Sequence, residues 1–233
     1  MAILGIVGGI APPSTIEYYR TVLARYRART GRALPVVIDS VDTDAFFALL
    51  EADDRPAIIR TLVGELERLA RAGADVALIA SNTGHIGIAE IVTASPIPVV
   101  SIVDATAAAL AGTRRVGLFA TTFTVRADVY GTALAERGIS VVMPGDEDQE
   151  RIQQVYFGEL VNGQFRDESR LALLAIGQKL HREHDVDVVV LAGTELPLLL
   201  TEPERDGVRY LDTGRVHAEA AVDAVMRLED GRN

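Results

Sequence analysis

Short β-branched runs alternate along this chain with longer stretches in which apolar residues recur every three or four positions. The runs cover residues 3–7, 35–39, 76–79, 99–102, 116–119, 140–143, 188–191 and 208–211. Near-continuous apolar runs of this length suit strands buried on both faces, and the helical stretches between them supply the cover. The pattern therefore predicts βα repeats built on parallel sheets. A first helix opens around Pro13, with Ser14 and Thr15 as caps and Tyr18, Tyr19, Val22 and Leu23 at helical spacing. A second covers residues 54–72, carries Ile58, Ile59, Leu62, Leu66 and Leu69 on one face, and stops at Gly73. A last helix, residues 216–228, is expected to pack back on the first lobe.

The pattern also repeats itself. LGIVGG at 4–9 resembles VGLFAT at 116–121, and GADVALIASNT at 73–83 resembles VDVVVLAGTE at 186–195, both at an offset of 112 residues. A third pair, SIVDAT around Asp104 and YLDTGR around Asp212, follows at a slightly smaller offset. The expected fold is α/β: two pseudo-symmetric, doubly wound lobes with parallel sheets and a cleft between them. One lobe takes residues 1–111 plus 212–233 and the other takes 112–211. Open parallel sheets bind ligands beyond the carboxyl ends of their strands, so SNT, GTE, GGIAPPST and ATTFT should converge there.

Composition narrows the function. The chain has 233 residues, 48% of them hydrophobic, enough for a substantial core. Its 33 acidic against 23 basic residues leave a formal charge of −10, which opposes attraction to nucleic acid or an anionic membrane. The start MAILGIVGG lacks a positively charged leader, and no apolar stretch reaches the roughly 18 residues of a spanning helix, so a cytoplasmic protein is expected. There is no cysteine, which excludes disulfides, thiolate metal sites and a thiol nucleophile. His181 and His184 stand three apart among charged residues near a helix end, and no metal site is expected of them. Gly5, Gly8 and Gly9 only partly imitate a dinucleotide fingerprint, with the third glycine missing and Pro12 and Pro13 intruding, so no cofactor is expected.

Four motifs, in order and spacing, resemble the aspartate/glutamate racemase superfamily over nearly the whole chain: IVGGIAPPSTIEYY, ASNTGH at 80–85, AGTELPLLL at 192–200 and LDTGRVHAEAA at 211–221. The resemblance implies cofactor-independent chemistry on a small amino acid or related carboxylic acid, and a homodimer. In members that racemise, the second and third motifs read like CNT and GCTE. One thiolate removes the Cα proton while the other thiol supplies a proton to the opposite face. Here those positions are Ser81 and Gly193. An aliphatic hydroxyl is a far weaker acid than a thiol of pKa about 8.5, and glycine offers only backbone. Racemases acting on aspartate also look to hold the carboxylates with an arginine and a lysine. The matching loops, DSVDTDAFF and YFGELVNGQF, contain neither residue.

A two-thiol racemisation is thus not expected, and one-sided acid/base chemistry is physically easier. Candidate catalytic groups are Ser81, His85 one helical turn on, Glu195 at a strand end, and His217, which Asp212 could orient. Candidate substrate-binding groups are Gly9, Asn82, Thr83, Thr121, Thr122 and Thr194. For Asn82 and Thr83 the alternative is capping a helix from Ile86 onward, and for Thr121 and Thr122 capping one that begins near Val125. A binding or regulatory protein that has lost catalysis is the competing reading of the whole chain.

Overall fold

The structure, a computed structural model, describes residues Met1–Gly231. The chain forms two compact units, Met1–Ala105 with the chain from Gly214 onward, and Thr106–Thr213. Among the described residues no helix is long and apolar enough to cross a membrane.

In the first unit, β1 (Leu4–Gly8), α1 (Pro12–Thr30), β2 (Val36–Ser40), α2 (Thr43–Glu51), α3 (Arg55–Arg71), β3 (Val76–Ile79), α4 (Ile88–Ala94) and β4 (Val99–Val100) follow one another, and α5 (Ile102–Ala109) leads into the second. The four strands are parallel, in the order β2-β1-β3-β4. Every residue of β1 and β3 is buried, as runs covered on both faces require. The second unit holds β5 (Arg115–Ala120), α6 (Thr122–Arg126), α7 (Gly131–Ala135), β6 (Ser140–Val142), α8 (Asp146–Gly158), α9 (Asp167–His184), β7 (Val188–Ala192), α10 (Leu196–Leu199), β8 (Glu204–Arg205) and β9 (Val208–Asp212). Its sheet order is β6-β5-β7-β9-β8. Apart from β8, this repeats the order of the first sheet, with β5 in the place of β1 and β7 in that of β3.

Three local departures from the sequence pattern have plain causes. The fourth strand ends at Val100 and not at Ile102, because the Ser101 hydroxyl accepts the Asp104 amide and the chain is already helical at Ile102. In the second sheet Tyr210 of β9 pairs with Val189 as Val99 pairs with Ala77, so the offset there is slightly smaller, 111 residues, and Asp104 is not the counterpart of Asp212. The second sheet is not wholly parallel: β8 pairs antiparallel with β9 through a tight turn in which Asp206 and Gly207 both take positive φ, 51° and 83°. Helix α1 starts after Ala11 and has no side-chain cap. Pro12 and Pro13 at its first positions lack the N–H groups a cap would satisfy. Thr15 instead accepts the Gly9 amide at 3.0 Å.

Helix α11 (Thr213–Asp230) lies along the first unit. Its Ala218, Ala221, Val222 and Val225 join Leu4, Ile6, Tyr18, Val22, Tyr26 and Leu78 in one core cluster. Ion pairs Arg25–Glu219, Arg29–Asp223 and Arg32–Glu229 tie it to α1 and the turn after it. Glu229 also accepts the Ala2 amide and the Tyr26 hydroxyl. The core of the second unit gathers Phe119, Val189 and Leu191 from one face of its sheet with Ile152, Val155, Tyr156, Leu173 and Leu196 from its helices.

Candidate active site

The first unit presents two turns at the carboxyl ends of its strands. Beyond β1, Gly9 has φ +86°, and a Cβ there would stand 2.6 Å from the Val41 carbonyl oxygen, so only glycine fits. Its amide is taken by Thr15, and its carbonyl accepts the Thr43 hydroxyl. Beyond β3, Ser81 and Asn82 are buried and Thr83 is half-buried. The chain then makes a 3-10 turn, Thr83–His85, and α4 begins only at Ile88, after Gly87 at φ +75°. The helix expected from Ile86 is therefore displaced, and its capping position is Gly87. Asn82 and Thr83 open the 3-10 turn and do not stand at the N-terminus of α4. The Ser81 hydroxyl accepts the Gly84 amide at 3.2 Å.

Both candidate histidines of this unit are locked. His85 Nδ1 lies 2.7 Å from the Ser81 carbonyl oxygen, and its Nε2 lies 3.0 Å from the Ile102 amide nitrogen. A carbonyl only accepts and an amide N–H only donates, so the ring is neutral with its proton on Nδ1. The contact foreseen from the one-turn spacing is made, but to the carbonyl of Ser81 and not to its hydroxyl. His217 has the opposite tautomer: Nε2–H donates to the Val100 carbonyl at 2.8 Å, while Nδ1 accepts the Tyr18 hydroxyl at 2.9 Å. Asp212 consequently does not orient this ring. The two imidazoles meet edge to face, with centroids 5.5 Å apart. Burial pushes His85 down to about 4; burial, helped by the neighbouring His85, pushes His217 down to about 3. Both stay neutral at ordinary pH, stitching the ends of β3 and β4 to α11 and α5.

In the second unit the turn after β5 is buttressed from α8. Thr121 caps α6, accepting the Thr124 amide and touching the Thr124 hydroxyl at 3.2 Å. Thr122 donates its amide to Gln153, and Gln149 donates to the Ala120 carbonyl. Helix α6 thus begins at Thr122, earlier than the sequence suggested.

The turn after β7 holds the most unusual chemistry. Glu195 is fully buried. One of its oxygens, Oε2, accepts the Thr194 hydroxyl at 3.0 Å and, through a very short hydrogen bond, the Tyr156 hydroxyl. Burial and the Glu195 carboxylate together raise the Tyr156 phenol well above its ordinary value, so it stays protonated. The same ring explains Gly193. A Cβ at that position would lie 2.6 Å from Tyr156 Cε2 and 3.2 Å from a Leu196 methyl. The space a side chain would enter at the second thiol position is filled by Tyr156.

Of the sequence candidates, Gly193, Thr194 and Glu195 come together with one partner the sequence reading missed, Tyr156. Its signal was indirect: a glycine directly after a buried strand, where a large neighbour must occupy the missing side chain's volume. In the two loops searched for an arginine and a lysine, Asp42 caps α2 and Asn162 bonds the carbonyls of Phe157 and Gly158. His181 bonds the Val186 carbonyl. Among the described residues no group of three or more His, Asp or Glu is placed to hold a metal ion.

Comparison with known proteins supports the fold. A structure from Yersinia pestis assigned as an Asp/Glu racemase is 31% identical, covers 97% of this chain and 100% of its own, and superposes with a TM-score of 0.88. An aspartate racemase homologue from Pyrococcus horikoshii gives 29% identity, 97% and 100% coverage and a TM-score of 0.82. The glutamate racemase of Francisella tularensis, solved with D-glutamate, shares the fold at 13% identity, with 98% and 82% coverage and a TM-score of 0.69. The family model described as Asp/Glu/Hydantoin racemase matches residues 7–221, and the chain belongs to that family.

Proposed function

We propose that this protein binds a small amino acid or a related carboxylic acid at the carboxyl ends of its strands and moves a proton at the carbon beside the carboxylate, from one side and without thiols. The observation that carries this reading is Glu195, a fully buried carboxylate held by two hydroxyl donors beside Gly193. A carboxylate kept out of water next to a phenol is arranged for proton transfer. His85 and His217 have both ring nitrogens committed, and the Ser81 hydroxyl faces a backbone amide.

Ligand contacts are assigned to the hydroxyls of Thr122 and Thr194, in the unit that holds Glu195. The amides of Gly9 and Thr122 already serve Thr15 and Gln153, and Thr121 serves as a cap. Incubating the protein in deuterium oxide with a panel of amino acids and small hydroxy and keto acids, and following Cα–H signals by NMR, tests the reading. Loss of a Cα–H signal from a ligand that binds saturably is the expected result; a panel in which nothing binds would refute it.

A second reading has its own support. The space at Gly193 is closed and both histidines are locked, as a protein that senses a small acid without transforming it would also tolerate. Saturable binding with every Cα–H signal intact would favour it.

A further inference from the structure

Glu195 has no surface of its own, so a proton can reach it only through a neighbour. The Thr194 hydroxyl and the Tyr156 phenol both donate to its Oε2. A phenol is intrinsically more acidic than an aliphatic hydroxyl, and although burial and Glu195 raise Tyr156 well above its ordinary value, a concerted exchange never requires the free phenolate. Tyr156 is also the group that stands in the volume of the second thiol position. It lies in the last turn of α8, buried at 8% exposure, with its hydroxyl pointing at Glu195.

Resting on the function proposed above, we infer that Tyr156 is the residue that exchanges a proton with the ligand's Cα, with Glu195 as the store behind it. The Cα–H proton passes to the Tyr156 oxygen as the phenol's own proton passes to Glu195 Oε2. The Cα–H electron pair stays on the ligand, delocalised into its carboxylate. Reversal returns a proton from Glu195 through Tyr156 to the same face of Cα. No oxidant, metal or second base is required, and the charge moves from Glu195 to the ligand without creating a free phenolate.

The test uses Tyr156→Phe, which keeps the ring beside Gly193 and deletes the relay oxygen, and Glu195→Gln, which keeps the shape and removes the store. With a ligand found by the panel above, deuterium incorporation at Cα should fall about a hundredfold or more in each variant. Ligand affinity, read by calorimetry, should change far less. If Glu195→Gln does not fold, Tyr156→Phe decides alone. Exchange in Tyr156→Phe at the wild-type rate overturns the relay and leaves the proposed function standing, with Thr194 or another group as carrier. A wild-type protein that binds but never exchanges also overturns the relay. A protein that binds no panel member removes the function it rests on.

Discussion

At the scale of single residues, the contact between Gly193 and Tyr156 decides what this site can become. Gly193→Ala places a carbon 2.6 Å from a ring atom, and overpacking of that kind costs about 1–3 kcal/mol. Tyr156→Ala on its own should also destabilise, by leaving a cavity. In the double variant the new methyl enters space already vacated, so the two effects should be far from additive. Urea unfolding of the four proteins checks this, and simple additivity would show that the ring does not hold that space. The same geometry predicts that restoring both thiols, Ser81→Cys with Gly193→Cys, yields no racemase while Tyr156 remains. The loss of the thiols was plain in the sequence because SNT and GTE are contiguous motifs. Tyr156 was hidden because its approach to Gly193 and Glu195 spans nearly forty positions of chain, beyond any local pattern. Spacing in sequence likewise suggested His85 acting on the Ser81 hydroxyl; the backbone carbonyl won because it lies in the same turn and accepts without competition.

At the scale of elements, the two locked histidines join β3, β4, α5 and α11, and they make that junction sensitive to acid. Each has a folded pKa below its unfolded value of about 6.5, at about 4 for His85 and about 3 for His217. The unfolded chain therefore binds more protons than the folded one throughout this window. Stability contributed by the neutral rings is complete above about pH 6.5 and is lost as pH falls, with a slope approaching about 1.4 kcal/mol per pH unit for each histidine. Denaturant unfolding at pH 7, 6 and 5, where most carboxylates remain ionised, should show declining stability, and His217→Gln should flatten part of the slope. A profile with no decline would contradict the tautomers assigned from the hydrogen bonds. Tyr18→Phe should leave His217 Nδ1 buried without a donor and cost about 1–3 kcal/mol. The parallel strands were legible because burial on both faces writes continuous apolar runs. The hairpin was not read, although Asp206-Gly207 carries its turn signal, because a two-residue polar strand leaves no hydrophobic period. The 3-10 turn at Thr83–His85 escaped for a related reason: its side chains answer to tertiary partners, not to a helical repeat.

At the scale of the whole molecule, the repeated strand order and the 112-residue offset give the family its shape, and the sequence carried both because each unit buries its own core. The proposed relay differs from a two-thiol racemase in symmetry: a thiol on each side permits inversion, whereas one phenol backed by one carboxylate would serve a single face of the ligand. The most direct measurement is chiral chromatography of the ligand after prolonged incubation with the wild-type protein in deuterium oxide. The account predicts deuterium at Cα with the starting enantiomer retained. An inverted enantiomer accumulating as fast as deuterium enters would contradict it.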